Sequence, residues 1–183
     1  MKDEWPCGSE QPFGVQIAHS WKEIGAILFL IDEFKVDTFI EIGTSRGGLS
    51  AFMLARCYFM SEFVYRGIEV DPDVISGRVM EFSQNLPNAR IVVGNCFSEG
   101  IQEYIKHMVD LSKVAFLYCD GCNRPREFSE YMSIMRPGDI VALHGFPLDV
   151  TLSTIQPFVD DEKFVRVVRP CLDRTTLLVG TLI

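Results

Sequence analysis

The feature that most constrains the fold is a regular alternation of short apolar runs with segments of helical periodicity. The apolar runs are nearly continuous, which is typical of strands buried on both faces of a parallel sheet. The predicted strands are Asp37–Ile42, Phe63–Val70, Ala89–Val93, Val114–Cys119 and Ile140–Leu143. The predicted helices are His19–Phe34, Leu49–Phe59, Pro72–Phe82, Ser98–Val109, Arg126–Met135 and Val150–Val159. This alternation predicts a doubly wound α/β sheet with helices on both faces.

The end of the chain departs from the alternation. Two further strands, Lys163–Val168 and Thr175–Leu182, follow each other with no helix between them and are predicted to pair antiparallel. The sequence therefore predicts a Rossmann-like, mostly parallel seven-stranded sheet with an antiparallel C-terminal strand pair, in three α/β/α layers. The seven strands and the other five helices occupy residues 37–183. Residues 1–36, which include the predicted helix His19–Phe34, are expected to form an N-terminal helical extension that acts as a lid or an interface.

That extension is rich in aromatic residues. Trp5, Pro6, Phe13 and Trp21 can be interpreted either as an aromatic lid over a ligand cleft or as core and interface residues. The second interpretation is favoured for Trp21, because it lies on a predicted helix. An interface formed by this segment would make the protein a homo-oligomer.

Charge and composition exclude several classes of function. The chain has 25 acidic and 17 basic residues and a net charge of −8, which argues against broad binding to nucleic acid. The longest apolar run, Ile24–Ile31, is too short to cross a membrane. The N-terminus shows no signal-peptide pattern, so a cytoplasmic location with six reduced cysteines is expected. Cys119 and Cys122 have the spacing of a zinc or redox pair, but no second pair of ligands accompanies them.

The loop after the first predicted strand has an unusual charge pattern. It reads Glu41-Ile-Gly43-Thr-Ser45-Arg-Gly47-Gly48, with an acid two residues before the first glycine. Glycines allow the backbone to turn tightly and to approach a ligand, but this is not the dinucleotide pattern G-x-G-x-x-G. Since a carboxylate here would repel a pyrophosphate, the loop suits a ligand with a positive charge, such as an ammonium or a sulfonium. The alternative is an ordinary strand–turn–helix loop.

Polar residues also follow the second and third strands. Glu69 comes at the end of the second strand, where a carboxylate can accept hydrogen bonds from a ribose diol. Asp71 is two residues further on and can instead cap the next helix. Asn95 follows the third strand, either as a partner for an adenine edge or as a turn residue.

The loop after the fourth strand is dense in charged and polar groups. Asp120 lies where a catalytic or metal-binding carboxylate would face the ligand cleft, and Asn123, Arg124 and Arg126 follow it closely. The arginines would orient an anionic or polar acceptor. The alternative is a solvated loop.

One histidine ends a predicted strand. His144 follows the fifth strand, where it either serves as a general base or packs at the sheet edge. The other two, His19 and His107, fall in predicted helices and are expected to face solvent.

These motifs resemble those of the class I S-adenosylmethionine (SAM)-dependent methyltransferases. The segments Phe39–Gly48 and Leu117–Glu127 resemble in particular the cephalosporin hydroxylase/rhamnosyl O-methyltransferase-like group. The resemblance covers most of the chain, Asp37–Ile183. It implies O-methylation of a small-molecule hydroxyl with SAM as the cofactor.

The resemblance also implies a set of site residues. The implied cofactor-binding residues are Glu41, Gly43, Ser45, Gly47, Glu69, Asn95 and Asp120. Glu69 would hold the ribose, Asn95 would lie near the adenine, and Asp120 would face the methyl-transfer site. Asp120 and His144 are the predicted catalytic residues; His144 is predicted from its own position at the end of a strand and not from the resemblance.

The sequence departs from this family pattern at one position. Related cation-dependent enzymes carry an acid after the fifth strand, where this chain has Gly145. Mg²⁺ prefers several oxygen ligands, so Asp120 alone is a weak metal site unless Asp149 joins it. Because Arg124 cannot act as a general base, the proton-accepting role is expected to fall to His144, assisted by Asp120.

Two other functions fit parts of the sequence. A non-catalytic protein with a degenerate cofactor site is compatible with Gly145. A nicotinamide-dependent oxidoreductase is disfavoured by Glu41 and by the missing dinucleotide motif.

Overall fold

The buried residues of the strands divide the core into two layers. In a computed structural model of the protein, which describes residues 14–159, 164–173 and 175–183, alternate residues of each central strand face opposite sides of the sheet. Phe39 and Tyr65 belong to one hydrophobic cluster, and Ile40 and Ile68 belong to the other. Helices must therefore cover both faces of the sheet, as the continuous apolar runs predict.

Seven strands and six α-helices form the described part of the chain. The strands are β1 (Thr38–Ile42), β2 (Val64–Glu69), β3 (Ala89–Val93), β4 (Ala115–Cys119), β5 (Ile140–His144), β6 (Phe164–Arg166) and β7 (Leu177–Leu182). The helices are α1 (Trp21–Glu33), α2 (Gly48–Phe59), α3 (Gly77–Gln84), α4 (Glu99–Leu111), α5 (Arg124–Tyr131) and α6 (Leu152–Val159). Helices α1, α2 and α3 pack on one face of the sheet, and α4, α5 and α6 pack on the other.

The sheet has the order β3-β2-β1-β4-β5-β7-β6. The first five strands pair in parallel, and β7 pairs antiparallel with both β5 and β6. This arrangement confirms the predicted fold class, including the antiparallel C-terminal pair. The strand order reverses between β1 and β4, so the ligand cleft of such a sheet is expected at the carboxyl ends of these two strands.

Helix α1 begins with a capping box. The Ser20 hydroxyl accepts a hydrogen bond from the Glu23 N–H, and the Glu23 carboxylate accepts one from the Ser20 N–H. The apolar face of α1 is buried in the same cluster as Phe39 of β1. A lid or interface role for residues 1–36 stays a prediction, and Trp5, Pro6 and Phe13 lie outside the described residues.

All six helices differ from the predicted bounds, and two of them, α3 and α5, differ by more than two residues at one end. The predicted helix Pro72–Phe82 is divided into a 3₁₀ turn at Pro72–Val74, capped by Asp71, and the separate helix α3. The extended backbone of Ile75 separates the two parts. Helix α5 begins two residues earlier than predicted, because the Asn123 side chain accepts a hydrogen bond from the Arg126 N–H and caps the helix there. Helix α5 ends at Tyr131 rather than at Met135.

None of the helices in the described ranges combines the length and the hydropathy needed to cross a membrane. Five cysteines are described, and all of them are free thiols: Cys57, Cys96, Cys119, Cys122 and Cys171.

Candidate active site

The loops after β1 and β4 touch at a glycine. Gly43 has a φ of +86°, and a Cβ built on it would lie 2.6 Å from the carbonyl oxygen of Asp120. A side chain at this position would therefore collide with backbone and would also have to adopt a left-handed conformation. This close approach brings the β1 loop and Asp120 to the same end of the sheet.

Glu41 lies beneath this loop. Its carboxylate is buried and accepts hydrogen bonds from the Ser50 hydroxyl, at 2.9 Å, and from the Tyr65 hydroxyl. Burial raises the pKa of Glu41 to about 7, although both hydroxyls oppose the shift. Glu41 is not among the residues that line the two cavities described below, which differs from the direct cofactor contact expected from the sequence.

The Glu69 carboxylate links the loop after β1 to the end of β2 by hydrogen bonds. One of its carboxylate oxygens accepts a hydrogen bond from the Ser45 N–H at 2.7 Å. The other accepts hydrogen bonds from the N–H groups of Val70 and Asp71, at 2.9 and 3.2 Å. The carboxylate therefore fixes the β1 loop against the end of β2, and the oxygen that is bonded to Ser45 keeps a lone pair that can accept a further donor.

A large cleft lies over the carboxyl ends of β1, β2, β3 and β4. It has a volume of about 700 Å³, within the usual range for ligand sites. Its walls include five residues predicted from the sequence to bind a cofactor: Gly43, Ser45, Glu69, Asn95 and Asp120. The Asn95 side-chain oxygen accepts a hydrogen bond from the Phe97 N–H, so the turn role of this residue is observed.

Asp120 is the centre of a compact polar cluster. Its Oδ1 atom lies 2.8 Å from His144 Nδ1 and also accepts hydrogen bonds from Nε and Nη2 of Arg124, at 3.1 and 2.9 Å. Its Oδ2 atom lies 3.0 Å from His19 Nε2, which is also 2.9 Å from the Tyr118 hydroxyl. Both carboxylate oxygens are therefore engaged with protein groups.

These contacts shift the pKa values of Asp120 and His144 in opposite directions. Burial alone raises the pKa of Asp120, but the contacts with His144 and His19 outweigh it and hold that pKa well below its usual range. Burial alone lowers the pKa of His144, but hydrogen bonds to Asp120 and Glu23 outweigh it and raise that pKa to about 9. At neutral pH the pair is therefore a carboxylate and an imidazolium.

Glu23 brings helix α1 to this cluster. Its Oε1 atom lies 3.5 Å from His144 Nε2 and accepts hydrogen bonds from the N–H and the hydroxyl of Thr176. Burial alone raises the pKa of Glu23, but the contacts with His144, Thr176 and Ser20 outweigh it and hold that pKa well below its usual range. His144 thus has a carboxylate on each ring nitrogen.

A smaller cavity of about 260 Å³ adjoins the large cleft. The two cavities share the wall residues Gly43, Ser45, Asp120 and Arg124. His19 and His144 line only the smaller cavity. A ligand in the large cleft would therefore contact Asp120 and Arg124, whereas His19 and His144 would face the smaller cavity.

The loop after β4 is fixed by a buried acid. The Glu127 carboxylate accepts hydrogen bonds from the N–H groups of Gly121 and Asn123, both at 3.1 Å. Burial raises the pKa of Glu127, although these two N–H groups oppose the shift. This internal support holds Asp120 and Arg124 in place on either side of the turn.

The expectation that His19 faces solvent is wrong. His19 lies just before the start of α1. It is only 5% exposed, because its ring packs between Tyr118 and His144. His107 is exposed on α4, as expected. Glu23 was not singled out from the sequence, because Ser20-x-x-Glu23 has the pattern of a capping box, and that pattern indicates only a helix start.

The donor atoms of this cluster do not suit Mg²⁺. Within the described residues, His19, Asp120 and His144 form the group of potential metal ligands, with ligand atoms within 4.8 Å of one another. Mg²⁺ prefers an oxygen-rich octahedral shell, whereas this group offers two imidazoles and one carboxylate. Arg124 already supplies a cation to that carboxylate, and Asp149 is directed to Arg124, with Oδ2 3.6 Å from Nη1.

Comparison with known proteins shows similarity at the level of structure. No protein-family profile and no curated protein sequence matches the chain. The structure is similar to that of CmcI, with a TM-score of 0.68, 14% identity, and coverage of 93% of this chain and 75% of CmcI. A CmcI structure described as Mg-SAM overlaps to the same extent.

Two further solved structures show the same relationship. A Staphylococcus aureus protein assigned as a caffeoyl-CoA O-methyltransferase has a TM-score of 0.63 and 16% identity, with coverage of 93% of this chain and 87% of that one. The SAH-bound methyltransferase PaMTH1 of Podospora anserina has a TM-score of 0.62 and 10% identity, with coverage of 88% and 78%. The chain therefore has the Rossmann-like fold of the class I SAM-dependent methyltransferases.

Proposed function

We propose that the protein is a SAM-dependent methyltransferase that methylates a hydroxyl group of a small molecule. The observation that carries this proposal is the pair of adjoining cavities at the switch point of the sheet. The larger one is of cofactor size, and the smaller one holds an ionised acid beside a histidine. Methyl transfer between a cofactor and an acceptor needs two adjoining binding sites, because the reacting atoms must be held in line and in contact.

The residues of the large cleft fit an adenosine-bearing cofactor. Glu69 offers a carboxylate oxygen with a free lone pair at the end of β2, where a ribose hydroxyl can donate to it. Gly43 has no side chain, so the backbone of the β4 loop can approach the β1 loop closely at the wall of the cleft. Asn95 lies further along the cleft, and its side-chain amide can pair with a base edge.

When bound, SAM supplies an electrophilic methyl group, so the protein must position the acceptor hydroxyl and remove its proton. The hydroxyl would occupy the smaller cavity beside Asp120 and His144. At neutral pH His144 carries a proton, and it becomes a general base only when that proton is lost. The ionised Asp120 orients His144 through its Nδ1 atom, so the acceptor proton would go to Nε2, whose contact with Glu23 is the longer one at 3.5 Å. Asp120 then stabilises the imidazolium that forms.

Mg²⁺ has no step in this proposal, because the potential ligand group of His19, Asp120 and His144 offers a single carboxylate whose oxygens are both engaged. Arg124 and the protonated His144 instead supply positive charge beside Asp120. The cationic groups that would meet the acceptor are therefore side chains of the protein.

Calorimetric titration tests the proposed cofactor. The protein should release or absorb heat on titration with SAM and with S-adenosylhomocysteine (SAH), and it should give none with NAD⁺. Glu69→Ala should weaken SAH binding, whereas Glu99→Ala, an exposed acid at the start of α4, should leave it unchanged. Binding of NAD⁺ in place of SAM would overturn the proposal in favour of an oxidoreductase.

Turnover is tested separately from binding. The protein should convert SAM to SAH in the presence of a suitable member of a panel of small hydroxyl compounds, and Asp120→Asn should abolish that conversion. Tight SAM binding with no methylated product from any member of a broad panel would instead favour a non-catalytic cofactor-binding protein.

A further inference from the structure

We propose that the exposed face of helix α1 is the interface of a homodimer, in which α1 packs antiparallel against α1 of a second copy of the chain. This inference goes beyond the proposed methyl transfer and does not depend on it. It names the residues and the partner for the interface role that the sequence predicts for residues 1–36.

Helix α1 has a buried inner face and an exposed outer face. Six exposed residues form the outer face and fall within about 120° of the helix circumference. Two of them are aromatic: Trp21 is 49% exposed and Phe29 is 48% exposed. Protein–protein interfaces are enriched in aromatic side chains, so two of them exposed on one helix face favour a partner there. The residues of the outer face are Trp21, Lys22, Gly25, Phe29, Asp32 and Glu33.

Gly25 leaves a gap between the two aromatic residues. Trp21, Gly25 and Phe29 follow each other at intervals of four residues, which places them in one row along the helix. No described atom lies within 4 Å of a Cβ built on Gly25. A glycine inside a helix costs about 1 kcal/mol relative to alanine, and the packing of the described chain does not require one here. The gap lets the side chain of another helix enter the row.

The row is complementary to a second copy of itself. Gly25 and Phe29 are equally distant along α1 from Ile27, on opposite sides of it. A two-fold axis at the level of Ile27 therefore places Phe29 of each copy beside the Gly25 gap of the other. The symmetry forms this contact twice, as expected for an isologous dimer.

The charges on the outer face favour the antiparallel direction. Lys22 lies in the first turn of α1, and Asp32 and Glu33 lie at its end. Antiparallel pairing brings Lys22 of each copy to the level of the two acids of the other, whereas parallel pairing would bring the two Lys22 side chains together. The acids also contact Arg56 and Arg169, but a carboxylate can accept several donors, and the Asp32 side chain is 65% exposed. The opposed helix dipoles favour the same direction.

The interface and the candidate active site use opposite faces of the same helix. Glu23, which contacts His144, is buried on the inner face. Variants of the outer face therefore leave the Asp120–His144 pair and its contacts unchanged. Dimer formation can thus be tested without altering the residues assigned to methyl transfer.

Sedimentation equilibrium of the full chain tests the dimer. The wild type should sediment with twice the mass of the chain and dissociate with a Kd of about 1–10 µM, because an interface built on one helix from each copy is small. Gly25→Gln should weaken the dimer about tenfold or more, because the new side chain fills the gap that Phe29 of the second copy enters. Phe29→Glu should weaken it to a similar extent.

A second exposed helical glycine provides the matched control. Gly100 lies in α4, and no described atom lies within 4 Å of a Cβ built on it. Gly100→Gln should therefore leave the Kd of the dimer unchanged. Glutamine also favours helix more than glycine does, so loss of the dimer in Gly25→Gln cannot be attributed to loss of α1. Lys22→Glu should weaken the dimer, whereas Lys22→Arg should not.

The proposal is refuted if the wild type is monomeric up to about 100 µM. A dimer that Gly25→Gln and Phe29→Glu leave intact would assign the interface to another face. Equal weakening by Gly25→Gln and Gly100→Gln would also refute it. A dimer that depends on Gly25 and Phe29 but is unaffected by Lys22→Glu would rule out the antiparallel arrangement. None of these results depends on whether SAH binds, so failure of the proposed function is detected separately.

Discussion

Replacement of Gly43 by alanine is the most direct test of the contact between the β1 and β4 loops. The new Cβ would lie 2.6 Å from the Asp120 carbonyl oxygen and 2.8 Å from the Gly121 Cα. Ordinary contacts begin at 3.4 Å, so the methyl group overlaps two backbone groups that cannot rotate away. The left-handed φ of +86° adds a second unfavourable effect.

The two effects can be separated with a matched glycine. A left-handed conformation costs a non-glycine residue about 1–2 kcal/mol. Overpacking of a close contact costs about 1–3 kcal/mol more. Gly138 has a φ of +90°, but no described atom lies within 4 Å of the position that a methyl group would take there, so Gly138→Ala carries only the first cost. We therefore expect a loss of unfolding free energy of about 2–5 kcal/mol for Gly43→Ala and about 1–2 kcal/mol for Gly138→Ala.

Urea unfolding followed by circular dichroism measures both values, and SAH titration reports the state of the cleft. Gly43→Ala should also weaken SAH binding, because the loops that form the shared wall are pushed apart, whereas Gly138→Ala should not. Equal stability losses in the two variants, with unchanged SAH affinity in Gly43→Ala, would show that the loop contact is not tight.

Three further predictions follow from the charges of the site. Ionisation of the buried Glu41 opposes folding, because its pKa is raised from 4.5 to about 7; the wild type should therefore lose about 3 kcal/mol of unfolding free energy between pH 4.5 and 7 relative to Glu41→Gln, and parallel denaturation curves would contradict this. His144 is faced by Asp120, Glu23 and His19 and is protonated below about pH 9, so kcat/KM should rise with pH up to about 9, and a plateau from pH 7 would exclude it as the base. Excess EDTA should leave SAH binding and turnover unchanged, and activity restored only by added Mg²⁺ would contradict the donor argument.

The fold could be predicted from the sequence because local signals agree with it. The central strands are nearly continuous apolar runs, and the loop glycines and caps mark the breaks between elements. The C-terminal pair was predictable because no α-helix separates its two strands, and the connection between them contains only a 3₁₀ turn at Pro170–Leu172. Helix bounds were less certain, since the Asn123 cap and the extended Ile75 depend on single side-chain and backbone contacts.

The site was predictable only in part. Glu69, Asn95 and Asp120 line the large cleft because they follow parallel strands, whose carboxyl ends share one edge of the sheet. Glu41 lies one residue before the end of such a strand, but its side chain points to hydroxyls of Ser50 and Tyr65, which no local pattern reveals.

The contribution of the N-terminal segment could not be foreseen. His19 contacts Tyr118 across 99 positions of sequence, and Glu23 contacts Thr176 across 153. Contacts of this separation depend on how α1 packs against the finished sheet. In the local sequence both residues indicate only the start of a helix. The capping box is a sufficient reason for an acid at Glu23, so the sequence gives no sign that this residue belongs to a functional site.

A crystal structure of the protein with SAH would test the central claim most directly. We expect the nucleoside in the large cleft, with ribose hydroxyls within about 2.6–3.2 Å of the Glu69 carboxylate. The sulfur atom should then lie at the wall shared with the smaller cavity, facing Asp120 and His144. SAH bound elsewhere, or bound with its sulfur directed away from these two residues, would contradict the proposed methyl transfer.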